Sequence, residues 1–526
     1  MSSYQPFLIA SHQTGLDLGI EPWLLPPDAF SSMEDCFIER GVLAKRKGFS
    51  LFATCPSAGS IVGVFNRVKA EDGGKVLLAA DVDYLFQYSG TAFAKVEHDE
   101  LGTAAVWTGD EDDLLHTANW KGTVYMTNGK QVSGETTAGD GTGNDGIQRY
   151  SGSAFNALRP DLSGDGEYCN GCKLMVVHKE RLILFGVYEN GSFWGNRARW
   201  CVAGNPNDWT NDGYLDATTS EHIKGVAILR DDIIVFFDNS IWLLRYTGDA
   251  DLPFRFEQVS KRGGCIASFT AAAYDEIGFA LDKAGIITCD GLQTKILDDK
   301  MPDITGKMNI SAVGRAYSRV VEQEEQVWIA YPGTGDDDNS QVMVYNYREG
   351  TWSIFNLAFR CFGDSATTTN VKWSDLDVGW LTYAVPWVSG TVQSGYPTIL
   401  AGGDSGAIYR VNHLDADAGA DIGFELVSGR WNPFKEQGLK VRLNRVDFLV
   451  ESGDYEASVD FFRDFETTSY QTKTLDFNGD GEKVWVRVYT NCTANFHRLK
   501  IRQTASDEPI KIHAIMPWFK AEGGMD

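Results

Sequence analysis

Cys169-Asn-Gly-Cys172 sets two thiols at the spacing of a zinc knuckle. A tetrahedral zinc needs four donors, and by sequence only His178 and Cys201 lie near enough to complete a set. With no second pair, the expectation is two buried thiols in a turn. Asp476-Phe-Asn478-Gly-Asp480-Gly481-Glu482 copies the first half of a calcium loop, but Arg487 stands at the twelfth position, where a bidentate carboxylate belongs. Asp161-Leu-Ser163-Gly-Asp165-Gly166 fails in the same way, with Cys172 at its twelfth position. Both are read as solvated turns. Gly141-Thr-Gly143-Asn-Asp-Gly146 spells a dinucleotide fingerprint, yet it sits in a Gly/Thr/Asp loop with no helix after it.

Nucleophile chemistry is equally thin. There is no G-x-S-x-G elbow and no phosphate-binding loop. The Ser-x-Asp-x-Gly-x-Thr-Trp boxes of sialidase-type propellers are missing too. The eight histidines are scattered singly. The 72 acidic residues leave paired carboxylates open as glycosidase candidates. Asn491-Cys492-Thr493 is a glycosylation sequon, which has meaning only on a secreted chain. The expectation is no catalytic residue, no metal and no cofactor, with any binding residues unknown.

The elements that would hold such residues are strands. The 526 residues include 55 Gly against 15 Pro, and 15 Trp with 20 Tyr, a composition of strands joined by tight turns. In "DDIIVFFDNSIWLLRYTGD" (231–249) two short apolar runs flank Asp238-Asn239-Ser240. We read 232–237 and 240–246 as a hairpin, buried on both faces because neither run alternates. Similar units lie at 75–96, 122–132 (around Asn128-Gly129), 181–194 (around Asn190-Gly191), 276–297, 326–355 and 398–412. Seven such units at spacings of roughly 40 to 60 residues predict an all-β chain built on a β-propeller of about six or seven degenerate blades. No Trp-Asp dipeptide supports a WD40 type. Residues 1–60 read as an extended arm, 61–425 as the propeller, and 426–526 as a C-terminal β-sandwich or barrel-like domain. In that last part Val484, Val486 and Val488 alternate with Trp485, Arg487 and Tyr489.

Forty-seven basic and 72 acidic residues give a net charge of −25, which predicts no grip on duplex DNA, apart from a local basic ring from Lys45, Arg46 and Lys47. Nine unpatterned cysteines predict reduced thiols. No basic n-region opens the chain and no apolar run is long enough to span a membrane, so neither a signal peptide nor a span is expected.

Three stretches resemble the tail nozzle, or tail hub, proteins of short-tailed bacteriophages. The first is 22–53, with Gly41, Leu43, Arg46, Gly48 and Phe49 in the pattern G-x-L-x-x-R-x-G-F. The second is 201–248, where Asn205, Pro206, Asp208 and Trp209 precede the hairpin above. The third is the closing hairpin, 496–524. The resemblance implies a structural virion protein without enzymatic activity, made in the host cytoplasm. It would form a hexameric ring in the tail, below portal and adaptor proteins, carrying fibres, spikes or a needle. DNA would pass through without specific binding and leave at ejection. The alternative is a tail-associated receptor-binding or glycan-acting propeller.

Overall fold

The computed structural model describes residues 4–525 except 72, 133–143, 163–166, 211–212, 250, 298, 303, 366–396, 452–454, 478–481 and 506–507. Seven four-stranded antiparallel units follow one another along the chain. Their innermost strands are Ile61–Val68, His116–Trp120, Cys169–His178, Ile223–Leu229, Ala272–Tyr274, Tyr317–Val321 and Cys361–Ser365. Each touches the next, and the seventh touches the first, so the units close into a seven-bladed β-propeller. The all-β propeller with a C-terminal β-sandwich agrees with the sequence reading, and each of the seven hairpin units falls in a different blade.

The ring closes between the two ends of the propeller sequence. Blade 7 takes three strands from the far end (Cys361–Ser365, Thr398–Gly402, Ala407–Val411) and its outermost, Phe49–Thr54, from the N-terminal segment. The apolar runs that look featureless in sequence fill the gaps between blades. Ile233, Val235 and Phe237 pack towards blade 3, while Ile234 and Phe236 pack towards blade 5, all of them fully buried. Both faces of the middle strands are therefore core, which is why these runs do not alternate.

Turn chemistry separates a correct expectation from a wrong one. At Asn190-Gly191 both residues have positive φ (49° and 79°), as a two-residue hairpin turn requires, and Glu189 pairs with Ser192 across it. Asn128-Gly129 forms no such hairpin. Strand Thr123–Thr127 pairs back to His116–Trp120 through Lys121-Gly122 (φ 49° and 83°), and its other partner, Ile147–Tyr150, lies well beyond Asn128 in sequence. Asn128 is buried there and donates to Asp145 Oδ1 at 2.7 Å, so its amide serves a loop contact.

The sandwich draws on both chain ends. One sheet runs Lys483–Ala494, Leu439–Glu451, Lys511–Gly524, Val42–Lys45, Cys36–Glu39. The other extends blade 6: its outermost strand Thr351–Phe355 meets Ala29–Glu34, followed by Ile422–Ser428, His497–Ala505, Glu456–Arg463 and Gln471–Asp476. One apolar cluster runs unbroken from the blade 5–6 interface (Phe279, Leu281, Val327, Ile329) into the sandwich interior (Leu443, Phe448, Ile501, Ile515). The N-terminal arm is extended, as expected, and long parts of it are paired into one body or the other.

Where the two bodies meet, Arg46 is buried and fully engaged. Its Nε lies 2.5 Å from Asp35 Oδ1, and its two Nη atoms hold Asp417 at 2.8 and 2.6 Å. Removing one partner of a buried ion pair leaves the others uncompensated. Arg46→Met should therefore cost about 3–5 kcal/mol in urea unfolding monitored by tryptophan fluorescence. A loss below about 0.5 kcal/mol, the level of an ordinary surface change, would contradict this placement.

Candidate functional site at the axial mouth

The loops that enter each innermost strand and the turns between each blade's second and third strands share one face of the propeller. A repeated contact organises that face. In blade 4, Asp238 Oδ2 accepts from His222 N at 2.9 Å, and in blade 5 Asp282 Oδ1 accepts from Gly264 N at 2.8 Å. In blade 1, Asp81 accepts from Ser57 Oγ and from the amides of Asp83 and Tyr84. A carboxylate at the end of the second strand ties the turn to the entry loop, satisfying backbone donors that no ladder can reach.

Around blades 6, 7 and 1 this pattern grows into a charged cluster. Arg360, at the entry to blade 7, has a side chain only 10% exposed and reaches Asp404 Oδ1 at 2.5 Å, Glu111 Oε2 at 2.9 Å and Asp338 Oδ1 at 3.1 Å. Arg315, at the entry to blade 6, pairs with Asp338 and also with Asp112 of the loop entering blade 2. That second pair links the entry loops of two blades that are not neighbours in the ring. Asn339 pins the arrangement, donating to Arg315 O at 2.8 Å and Phe359 O at 3.1 Å. Burial works against the Arg360 charge, but Asp404, Asp338 and Glu111 outweigh it and raise its pKa.

The carboxylates stay open to solvent: Glu111 42%, Asp338 47%, Asp112 65% and Asp404 69% exposed. Ion pairs that exposed add little stability. Glu111 and Asp404 also share Ser60, whose Oγ donates at 2.6 Å to one and 3.5 Å to the other, which keeps their nearest oxygens within about 6 Å. The mouth thus offers convergent acceptors and guanidinium donors on a rigid rim, the complement of a molecule rich in hydroxyls.

Aromatic rings pack where these innermost strands begin. Phe269 and Tyr317 stack with centroids 5.4 Å apart, and His116 lies 6.1 Å from Phe269. His116 is enclosed enough that desolvation lowers its pKa to about 4.

The motifs first read for chemistry fall elsewhere. Cys169 and Cys172 are buried in strand Cys169–His178, flanking a bulge, and not in a turn as expected. Burial pushes the Cys169 thiol up to about 12 and that of Cys172 well above its ordinary value. Ser163–Gly166, Gly141, Gly143 and 478–481 lie outside the described residues, and Gly146 leads into strand Ile147–Tyr150. Among the described residues no group of three or more potential ligands gathers for a metal. The basic ring envisaged from Lys45, Arg46 and Lys47 does not form. Lys45 is buried, donating to Gln503 Oε1 and Ala505 O at 2.9 Å each, and Lys47 pairs with Asp415 at 2.6 Å. Sequence reasoning missed the mouth residues. Their signals were the acidic loops 109–113 and 335–339, and an arginine shortly before two innermost strands.

Several solved structures are similar to this chain at low identity. Two are of exo-β-1,3-galactanase from Phanerochaete chrysosporium, each 8% identical. The one with β-1,3-galactotriose covers 82% of this chain and 97% of its own at a TM-score of 0.29; the one with galactose covers 84% and 100% at 0.30. A third is PorZ, a surface component of the type-IX secretion system of Porphyromonas gingivalis, 10% identical, covering 71% of this chain and 43% of its own at 0.32. Similarity of this order transfers no residue and no activity. No protein-family model and no curated protein matches the chain. No phage tail protein is among these neighbours and two of them are structures of a galactanase, so the tail-nozzle and non-enzyme expectations are withdrawn.

His12, His116 and His497 each have a pKa lowered by burial to about 4, against an unfolded value near 6.5. Between those values the unfolded chain binds more protons, so stability is full above pH ~6.5 and falls as pH drops towards ~4. The urea midpoint measured at pH 7, 5.5 and 4.5 should decline in that order, and His116→Asn should flatten part of the slope. A midpoint independent of pH across this range would show that these rings are protonated in the fold.

Proposed function

We propose that the chain is a glycan-acting β-propeller that takes a saccharide at the axial mouth. The observation that carries this reading is the convergence of Glu111, Asp338 and Asp404 on the nearly buried Arg360, with all three carboxylates still open to solvent. Sugar hydroxyls need acceptors and donors held in fixed geometry, and carboxylates anchored by guanidinium supply both. Glu111 and Asp404, whose nearest oxygens are no more than about 6 Å apart, are close enough for retaining hydrolysis, in which one carboxylate attacks the anomeric carbon while the other protonates the leaving oxygen and then deprotonates the water that releases the sugar. Glu111 has both oxygens held, by Ser60 and Arg360, which fixes its direction as nucleophile. Asp404 meets Arg360 and Ser60 through Oδ1 alone, leaving Oδ2 for proton transfer.

The test is incubation of the full chain with β-linked galacto-oligosaccharides and a panel of neutral polysaccharides, with reducing ends and calorimetric binding both measured. Glu111→Gln and Asp404→Asn should each lower sugar release by about 10²–10⁴-fold with little change in stability. Neither release nor saturable binding by the wild-type chain, or variants equal to it, would overturn the reading.

A further inference from the structure

The sandwich carries a second surface with glycan chemistry. Strand Lys483–Ala494 is the terminal strand of its sheet, hydrogen-bonded on one side only, to Leu439–Glu451. Its inward positions Val484, Val486 and Val488 pack on the core, and its outward positions read Lys483, Trp485, Arg487, Tyr489, Asn491. Trp485 is 42% and Tyr489 56% exposed. Cation and ring therefore alternate along one exposed line, at intervals of roughly 6–7 Å set by the two-residue repeat of a strand.

The neighbouring strands continue this surface. Arg445 lies over the Trp518 ring, 4.1 Å from its centroid. Asp447 stands opposite Arg487 in the ladder, yet it is committed to Trp518 Nε1 at 2.9 Å and Arg445 Nε at 3.2 Å. Arg487 consequently has no ion pair among the described residues, and neither has Lys483, whose ladder partner Glu451 is engaged by Lys511 at 3.2 Å. On a chain of net charge −25, a face that sets such cations beside open aromatic rings favours an anionic occupant.

We propose that this face binds an acidic polysaccharide, a uronate-bearing chain laid along strand Lys483–Ala494. The apolar faces of its sugar rings would stack on Trp485 and Tyr489, and its carboxylates would meet Lys483 and Arg487. A uronate chain separates its charges by uncharged ring faces, which matches the alternation. A polyphosphate places a charge at every step and meets the acidic remainder of the molecule at once. Self-pairing is disfavoured as well. The strand has no carboxylate in twelve residues, so a second copy paired edge to edge would bring no counter-charge from this strand to Lys483 and Arg487. The proposal extends the glycan reading of the axial mouth and names a substrate class for the molecule, though the two sites share no residue.

The experiment titrates the full chain with polygalacturonate, neutral dextran, oligo-dT and poly-glutamate by calorimetry. Polygalacturonate should bind saturably and weaken with added salt, and the other three should bind far more weakly. Arg487→Ala and Tyr489→Ala, both at exposed positions, should each reduce the affinity roughly tenfold at unchanged unfolding midpoint. Absence of polygalacturonate binding, equal or tighter binding of oligo-dT or poly-glutamate, or variants that bind as the wild type would each overturn the proposal. The wild-type chain and Glu111→Gln together keep the two readings apart. Polygalacturonate binding by a wild-type chain that neither binds nor cleaves any neutral sugar would retain this site and discard the axial one, whereas neutral-sugar release that is lost in Glu111→Gln, without polygalacturonate binding by either chain, would do the opposite.

Discussion

The fold depends on one buried guanidinium. Arg46 sits a few residues before the strand that closes the propeller, and it is held by Asp35 from a sandwich turn and Asp417 from the link leaving blade 7. Asn356, just past the outer strand of blade 6, completes the knot by donating from N and Nδ2 to Asp35 at 2.8 and 3.0 Å. Four separate segments thus meet at a single charge. Buried pairs of this kind seldom raise net stability, but they penalise every arrangement in which a partner is missing. That penalty suits a ring whose last strand comes from a distant part of the sequence. Gly48 serves the same joint, because a Cβ there would lie 2.0 Å from Ala416 O.

Once the ring is closed, the blades need little further specification. Each interface is an apolar layer between neighbouring sheets, and the layer between blades 5 and 6 continues into the sandwich. A ring that cannot flatten or splay holds its entry loops in fixed positions. That rigidity lets side chains from blades 2, 6 and 7 meet at one end of the ring.

Much of this was legible in the sequence, and the physical reason differs from part to part. Strands buried on both faces announce themselves as short apolar runs, so residues 231–249 could be placed as a hairpin and the blades numbered approximately. Alternation exposed the half-buried strand around Val484 and Val486 for the converse reason. The Asn128-Gly129 signal failed because a turn dipeptide records only a local preference, and Asn128 found a better partner in Asp145. The phage-like pattern from Gly41 to Phe49 was real as a pattern, but its residues turn out to build a joint: Leu43 is core, Arg46 the clamp, Gly48 the close approach. Such a pattern records how a chain end is locked into a propeller, and the lock carries no information about what the propeller does. Glu111, Asp338 and Asp404 could not be picked from 72 acidic residues, since what distinguishes them is a shared arginine hundreds of positions away from one of them.

The net charge of −25 conceals an uneven distribution, and that is where its meaning lies. One part of the acidic excess is structural: Asp81, Asp238 and Asp282 accept from the backbone or hydroxyls of their own entry loops and would be required whatever the molecule bound. A second part gathers at the axial mouth, where exposed carboxylates gain little stability from their arginines. The outer sandwich face differs: there Lys483 and Arg487, without an ion pair among the described residues, alternate with Trp485 and Tyr489. A long acidic polymer would be repelled by acidic surface and favoured along that strand. A neutral sugar meets no such barrier and can enter the acidic mouth. If both sites act on one substrate, electrostatics alone assigns the charged stretch of a glycan to the sandwich and an uncharged stretch to the propeller axis.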